Sequence, residues 1–93
     1  MTENPMVNRI RQEIKANHLV VFMKGTPANP RCGFSKAAAE KLAKAGIAYK
    51  SVDVLSDPAL FDGLRQYTNY THFPQVFVDG RFVGSTENLK ALV

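Results

Sequence analysis

Leu19-Val20-Val21-Phe22-Met23-Lys24-Gly25-Thr26-Pro27-Ala28-Asn29-Pro30-Arg31-Cys32-Gly33-Phe34-Ser35 contains the change of pattern on which the fold turns. Its first five residues form an unbroken apolar run with β-branched members, long enough for a buried strand and too short for a helix. Gly25 to Pro30 continues neither regular structure, because a glycine and two prolines interrupt it. From Gly33 to Ala45 the Ala-, Lys- and Leu-rich composition favours a helix, and Gly46 is suited to stop it. A second strand is predicted from Ala48 to Val54. Strand, helix and strand in this order form a β-α-β unit, whose strands are parallel and joined by a right-handed crossover.

The flanks complete the pattern. Residues 5–17 predict an amphipathic helix, with Val7, Ile10 and Ile14 on one stripe. Ser56-Asp57-Pro58 places an N-cap residue before proline at the first helical position. The helix it opens runs to about Thr68, with Leu60, Leu64 and Tyr67 on its apolar stripe. Gln75-Val76-Phe77-Val78 and Arg81-Phe82-Val83 flank Asp79-Gly80, a strong hairpin signal. Ser85 or Thr86 is placed to cap a last helix through Leu92. The order α-β-α-β-α-β-β-α predicts an α/β, thioredoxin-like fold: a four-stranded mixed sheet with helices on both faces.

The 93 residues, 45% of them hydrophobic, suit one domain spanning 1–93. No apolar run approaches the roughly 20 residues that cross a bilayer, and residues 1–5 resemble neither a signal segment nor a transit peptide. One cysteine cannot form an internal disulfide, which suits a reducing cytoplasmic setting. The net charge of +4 is concentrated between residues 24 and 50, where Lys24, Arg31, Lys36, Lys41, Lys44 and Lys50 face only Glu40. Lys41, Lys44 and Lys50 suit a solvated helix face, whereas Lys24, Arg31 and Lys36 bracket the thiol and suit an anionic ligand. No aromatic stripe interleaves with these cations, which argues against single-stranded nucleic acid as a partner.

Cys32 is the chemical centre of this reading. A helix N-terminus carries unpaired N–H groups and roughly half a positive charge, which favours the thiolate, the form that attacks electrophiles and binds metals. Ser35 stands where a Cys-x-x-Cys motif would place its second sulfur, and is assigned here as a helix N-cap. Phe34 belongs either to the core or over a ligand beside the thiol. His72 reads as a surface residue, with proton carriage and metal ligation as alternatives, and His18 as capping or decorating the first helix end. Three segments are expected to meet at one end of the sheet: Lys24–Ser35, His72-Phe73-Pro74, and the turn Gly84-Ser85-Thr86-Glu87, whose helix start suits an anion.

Over nearly the whole chain these segments resemble a monothiol glutaredoxin of the Cys-Gly-Phe-Ser class. The resemblance is carried by Lys24-Gly25-Thr26-Pro27, Cys32-Gly33-Phe34-Ser35, Phe73-Pro74-Gln75, and Asp79-Gly80 followed by Phe82-Val83-Gly84. It implies a cis Pro74, a glutathione site, and a homodimer in which two such cysteines and two glutathione thiolates hold one [2Fe-2S] cluster. It also implies storage and transfer of clusters to acceptor proteins. Residue by residue, Cys32 is implied as catalytic thiol and iron ligand, and Lys24 as partner of a glutathione carboxylate or of the sulfurs. The Phe73 main chain would bond glutathione like an added strand. The N–H groups of Thr86 and Glu87 would receive its γ-glutamyl carboxylate, and the Glu87 side chain its amine.

Three positions depart from the family pattern. Tyr70-Thr71-His72 replaces Trp-Pro-Thr, and Gly84-Ser85-Thr86-Glu87 replaces Gly-Gly-Cys-Asp. Phe61 stands where an arginine grips glutathione, and Arg65, one turn on, is either its substitute or a surface residue. Besides cluster carriage, the chain therefore admits a glutathione-dependent monothiol–disulfide oxidoreductase that deglutathionylates proteins through Cys32. It also admits an adaptor for BolA-like proteins with a reduced glutathione pocket.

Overall fold

The computed structural model describes residues 5–85. Within them the chain forms α1 (Met6–Ala16), β1 (Leu19–Met23), α2 (Gly33–Ala45), β2 (Lys50–Asp53), a 3-10 turn (Val54–Ser56), α3 (Pro58–Thr68), β3 (Gln75–Val78) and β4 (Arg81–Gly84). The four strands lie in one sheet in the order β2-β1-β3-β4. β1 runs parallel to β2, antiparallel to β3, and β3 antiparallel to β4. This is the thioredoxin-like arrangement expected from the pattern. The final predicted helix, Thr86 to Leu92, lies outside the described residues.

Alternation along β1 divides the core. Val20 and Phe22 pack with Ile10 and Ile14 of α1 and Leu60 and Leu64 of α3. Leu19, Val21 and Met23 pack with Ala38, Ala39 and Leu42 of α2 on the opposite face. Because both faces are covered, all five residues of β1 are buried, as a continuous apolar run in a central strand requires. α2 ends on Gly46 at φ +68°, whose N–H returns to the carbonyls of Ala43 and Leu42.

Two details differ from the sequence reading. β2 is shorter than Ala48–Val54, because the Asp53 carboxylate accepts from Leu55 N at 2.9 Å and turns the chain into the 3-10 turn. Tyr67 sits at the margin of α3, 36% exposed, while Gly63 joins Leu60 and Leu64 on its buried side. The start and end of α3 are as predicted: Asp57 caps it, its carboxylate accepting from Ala59 N at 3.0 Å, with Pro58 at the first helical position and Thr68 at its end. The hairpin turn is as expected: Asp79 and Gly80 both adopt positive φ, +51° and +82°, matching the twist of the strands.

Candidate functional site: the thiol and the Phe73 wall

The site is assembled at the end of the sheet where β1 and β2 finish and β3 begins. Met23 pairs with Asp53 across the parallel ladder, and Phe22 with Gln75 across the antiparallel one. The connections leaving β1 and entering β3 are therefore neighbours.

Beyond β1 the chain makes a small closed loop. Arg31 N donates to Lys24 O at 2.9 Å, Asn29 N to Thr26 O at 3.0 Å, and Gly25 bridges to Pro30. Gly25 is required here. It sits at φ +91°, and a Cβ on it would lie 2.5 Å from the Asn29 carbonyl oxygen and 2.8 Å from Arg31 N. The Asp53 carboxylate accepts from Gly25 N at 3.0 Å, so one oxygen fixes both this loop and the 3-10 turn. The loop delivers Cys32 in extended backbone (φ −152°, ψ 143°) to the N-cap position of α2, where its carbonyl accepts from Lys36 N at 2.9 Å.

Ser35 is not the cap. It lies inside the first turn, fully buried, and its hydroxyl accepts from Lys24 N at 3.1 Å. The hydroxyl thereby ties the last turn of the loop to the helix that carries the thiol. Cys32 itself is partly exposed. Partial burial is the largest single influence on its ionisation and raises the pKa. The N–H groups of Ser35 and Phe34, the Ser35 hydroxyl and the Lys24 charge together outweigh it, and the thiol ionises below its ordinary value. Phe34 is 69% exposed beside it and so belongs to the site's rim, not the core.

The facing wall comes from the segment before β3. The Phe73–Pro74 peptide is cis. The Phe73 ring is buried, 3% exposed, and lies 5.8 Å from the Lys24 ammonium, a cation–π distance. Lys24 thus lies near both the thiol and this wall. Gln75, fully buried, gives its amide to the carbonyls of Tyr70 at 2.9 Å and His72 at 3.2 Å. Neither Gln75 nor Asp53 is legible as a site residue from sequence, although a glutamine inside an apolar strand run is a signal that it is satisfied by specific partners.

Phe61, at the position of the expected arginine, packs its ring against Phe73 at a centroid distance of 5.0 Å. Arg65 is half-exposed, with its side chain directed to its own helix neighbour. It pairs with Asp62 at 3.8 Å, and it lines a recess of about 330 Å³ with Asp62, Gln66, Asn69 and Thr71, in which neither Lys24 nor Cys32 takes part. His72 is exposed, with its ring edge-on to Tyr70 at 5.5 Å. His18 pairs with Asp79 at 2.6 Å at the opposite end of the sheet, rather than capping α1. Thr86 and Glu87 lie outside the described residues. Among the described residues no group of three His, Cys, Asp or Glu side chains could hold a metal ion.

A glutaredoxin family model matches residues 19–83, from the start of β1 into β4. The chain belongs to the glutaredoxin family. This glutaredoxin is 43% identical over 79 residues to an uncharacterised monothiol glutaredoxin, ycf64-like, of Synechocystis, covering 85% of this chain and 74% of that one. It is 38% identical over 92 residues to the probable monothiol glutaredoxin 2 of Rickettsia prowazekii, covering 99% and 86%. Against mouse glutaredoxin-3 it is 40% identical over 84 residues, but spans only 25% of that longer chain. Among solved structures, a monomeric truncated mutant of Trypanosoma brucei 1-C-Grx1 superposes with a TM-score of 0.82 at 28% identity, covering 99% of this chain and 81% of that one. A buckwheat glutaredoxin–glutathione complex gives 0.80 at 22%, covering 92% and 76%, and so attests the fold. Like the monothiol class for which these relatives are named, this chain is a monothiol glutaredoxin, with Cys32 its one cysteine. No helix among the described residues is long and apolar enough to cross a membrane.

Proposed function

We propose that this glutaredoxin binds glutathione beside Cys32 and, as a homodimer, carries a [2Fe-2S] cluster that it stores and hands to acceptor proteins. The observation that carries the reading is a partly exposed, readily ionised sulfur at a helix start with a buried serine hydroxyl in place of a second thiol. One sulfur per chain leaves a cluster short of its four thiolates, so the donor set must come from two chains and two small thiols. That shortage couples binding to dimerisation and to glutathione concentration, and it makes the cargo easy to release. With serine at position 35, no internal disulfide competes for the ligating sulfur.

In this reading Cys32 supplies the protein sulfur, and the Phe73 main chain receives glutathione as an added strand. Lys24 meets a glutathione carboxylate or the sulfurs, while Thr86 and Glu87 take the γ-glutamyl end. A BolA-like protein would be a second kind of partner, and a reducing compartment such as the cytoplasm the setting. Reconstitution with iron and sulfide in the presence of glutathione is expected to give a coloured dimer that bleaches to monomer. A colourless monomer under those conditions overturns the proposal.

The lowered pKa of Cys32, which favours the thiolate, supports a second reading as a glutathione-dependent oxidoreductase. The thiolate would attack the glutathione sulfur of a glutathionylated protein, releasing the protein thiolate and leaving Cys32 disulfide-bonded to glutathione. A second glutathione thiolate would then attack that sulfur, forming oxidised glutathione and restoring Cys32. Turnover of a glutathionylated peptide well above that of Cys32→Ser supports this activity; equal rates remove it.

A further inference from the structure

Gln75 is fully buried at the first position of β3, where its backbone pairs with Phe22 of the central strand. A carboxamide buried this fully must be satisfied by specific partners. What it adds is three polar contacts. Oε1 lies 2.9 Å from the Thr68 hydroxyl at the end of α3, and Nε2 lies 2.9 Å from Tyr70 O and 3.2 Å from His72 O. The amide orientation follows from this set, since a flipped carboxamide would turn its oxygen onto two carbonyl oxygens. Thr68 extends the network: its hydroxyl lies 3.0 Å from Leu64 O and accepts from Tyr70 N at 3.2 Å. α3, the connection after it, and the sheet are thus joined through one carboxamide.

The two carbonyls that Gln75 holds flank Thr71 and immediately precede Phe73. Phe73 is anchored on its other sides by Pro74 and by ring contacts to Phe61 and Lys24. We infer that Gln75 is a positioning residue: its carboxamide sets the path of residues 70–73, and so fixes the Phe73 main chain relative to Cys32. The inference rests on the reading of Phe73 as the glutathione-receiving strand. It deepens that reading by naming the group that presets the edge. The thiol has its own hydrogen bonds, from the Ser35 and Phe34 N–H groups and the Ser35 hydroxyl, and shares only Lys24 with Phe73; a substitution at Gln75, which touches none of these groups, separates the two halves of the site.

The test uses Gln75→Glu, which keeps the shape and the acceptor facing Thr68 but removes both amide donors, and Gln75→Met, which keeps length and removes all three contacts. Glutathione affinity by calorimetry, Cys32 alkylation rate, and backbone hydrogen exchange are measured on each folded variant and on the unsubstituted protein. Expected is a loss of about tenfold or more in glutathione affinity in both variants, since roughly ångström-scale misplacement is costly. Cys32 alkylation should stay within about twofold of the parent, because its own network is untouched. Affinity within about twofold of the parent overturns the inference, as does a fall in thiol reactivity parallel to the fall in affinity, which marks general loosening. If the unsubstituted protein binds no glutathione, the functional reading fails by itself. The positioning claim is then decided by exchange: faster exchange confined to Thr71–Phe73 supports it, and unchanged exchange there overturns it.

Discussion

Gly25→Ala, set beside Gly33→Ala, tests whether the loop before Cys32 is as tightly closed as the geometry requires. At Gly25 two costs add. A residue with a Cβ at φ +91° suffers left-handed strain of roughly 1–2 kcal/mol. The new Cβ would also lie 2.5 Å from Asn29 O, 2.8 Å from Arg31 N and 2.9 Å from Arg31 Cγ. Two of these are backbone atoms held by the bonds Arg31 N to Lys24 O and Thr26 N to Asn29 O, so they cannot retreat without breaking them. Each lost bond is worth about 1 kcal/mol. The sum is about 3–4 kcal/mol, which in a domain of this size lowers the melting temperature by roughly 12–30 °C. At Gly33 a Cβ meets nothing within 4 Å, and alanine there should be neutral or stabilise by up to about 1 kcal/mol. Thermal unfolding by circular dichroism, with cysteine alkylation run in parallel, measures both. If Gly25→Ala melts within about 3 °C of the parent, the closed loop and the reasoning from it are wrong.

Alkylation of Cys32 followed against pH should show a midpoint below that of a free thiol, moved upward by Ser35→Ala and by Lys24→Gln, each of which removes a group favouring the thiolate. Because the folded thiol ionises below its unfolded value, this group stabilises the fold at alkaline pH, fully above the unfolded pKa. That contribution is lost as pH falls through the folded value; denaturant titrations of Cys32→Ser against the parent should show the gap close in that direction. Phe61→Arg should tighten glutathione binding by about tenfold or more, because a charge-assisted carboxylate contact is worth roughly 1.5–3 kcal/mol, while the lost Phe61–Phe73 ring contact, made with or without ligand, lowers stability by roughly 0.5–1.5 kcal/mol. Calorimetry checks it, and no gain would show that position 61 does not face the carboxylate. Asp53→Ala leaves the N–H groups of Gly25 and Leu55 without their shared acceptor. It should lower stability by about 2–4 kcal/mol in urea titration, while Asp53→Asn, which keeps an acceptor, should lose less.

The elements were legible because each is written in a local period. The apolar run of β1, the Asp57-Pro58 start of α3 and the Asp79-Gly80 hairpin are all decided by residues adjacent in sequence. The thiol's place at a helix start was legible for the same reason. Ser35 shows where this ends: three residues into α2, its hydroxyl is spent on Lys24 N across the loop, not on capping its own helix. The end of β2 was misplaced because an Asp53 contact to Leu55, indistinguishable in sequence from an ordinary surface acid, turns the chain early.

From the chain alone come the strand and helix order, the lone sulfur and the cations around it. These follow from side-chain period, turn chemistry and composition, which act over a few neighbouring residues. The tertiary structure alone decides that Phe61 stacks on Phe73, that Arg65 goes to Asp62, and that one buried carboxamide, Gln75, holds the segment facing Cys32. The physical reason is that a buried ring or amide is satisfied by whichever distant groups the sheet register brings within about 3–5 Å, and neither Phe61 nor Gln75 carries that register in its own neighbourhood of the sequence.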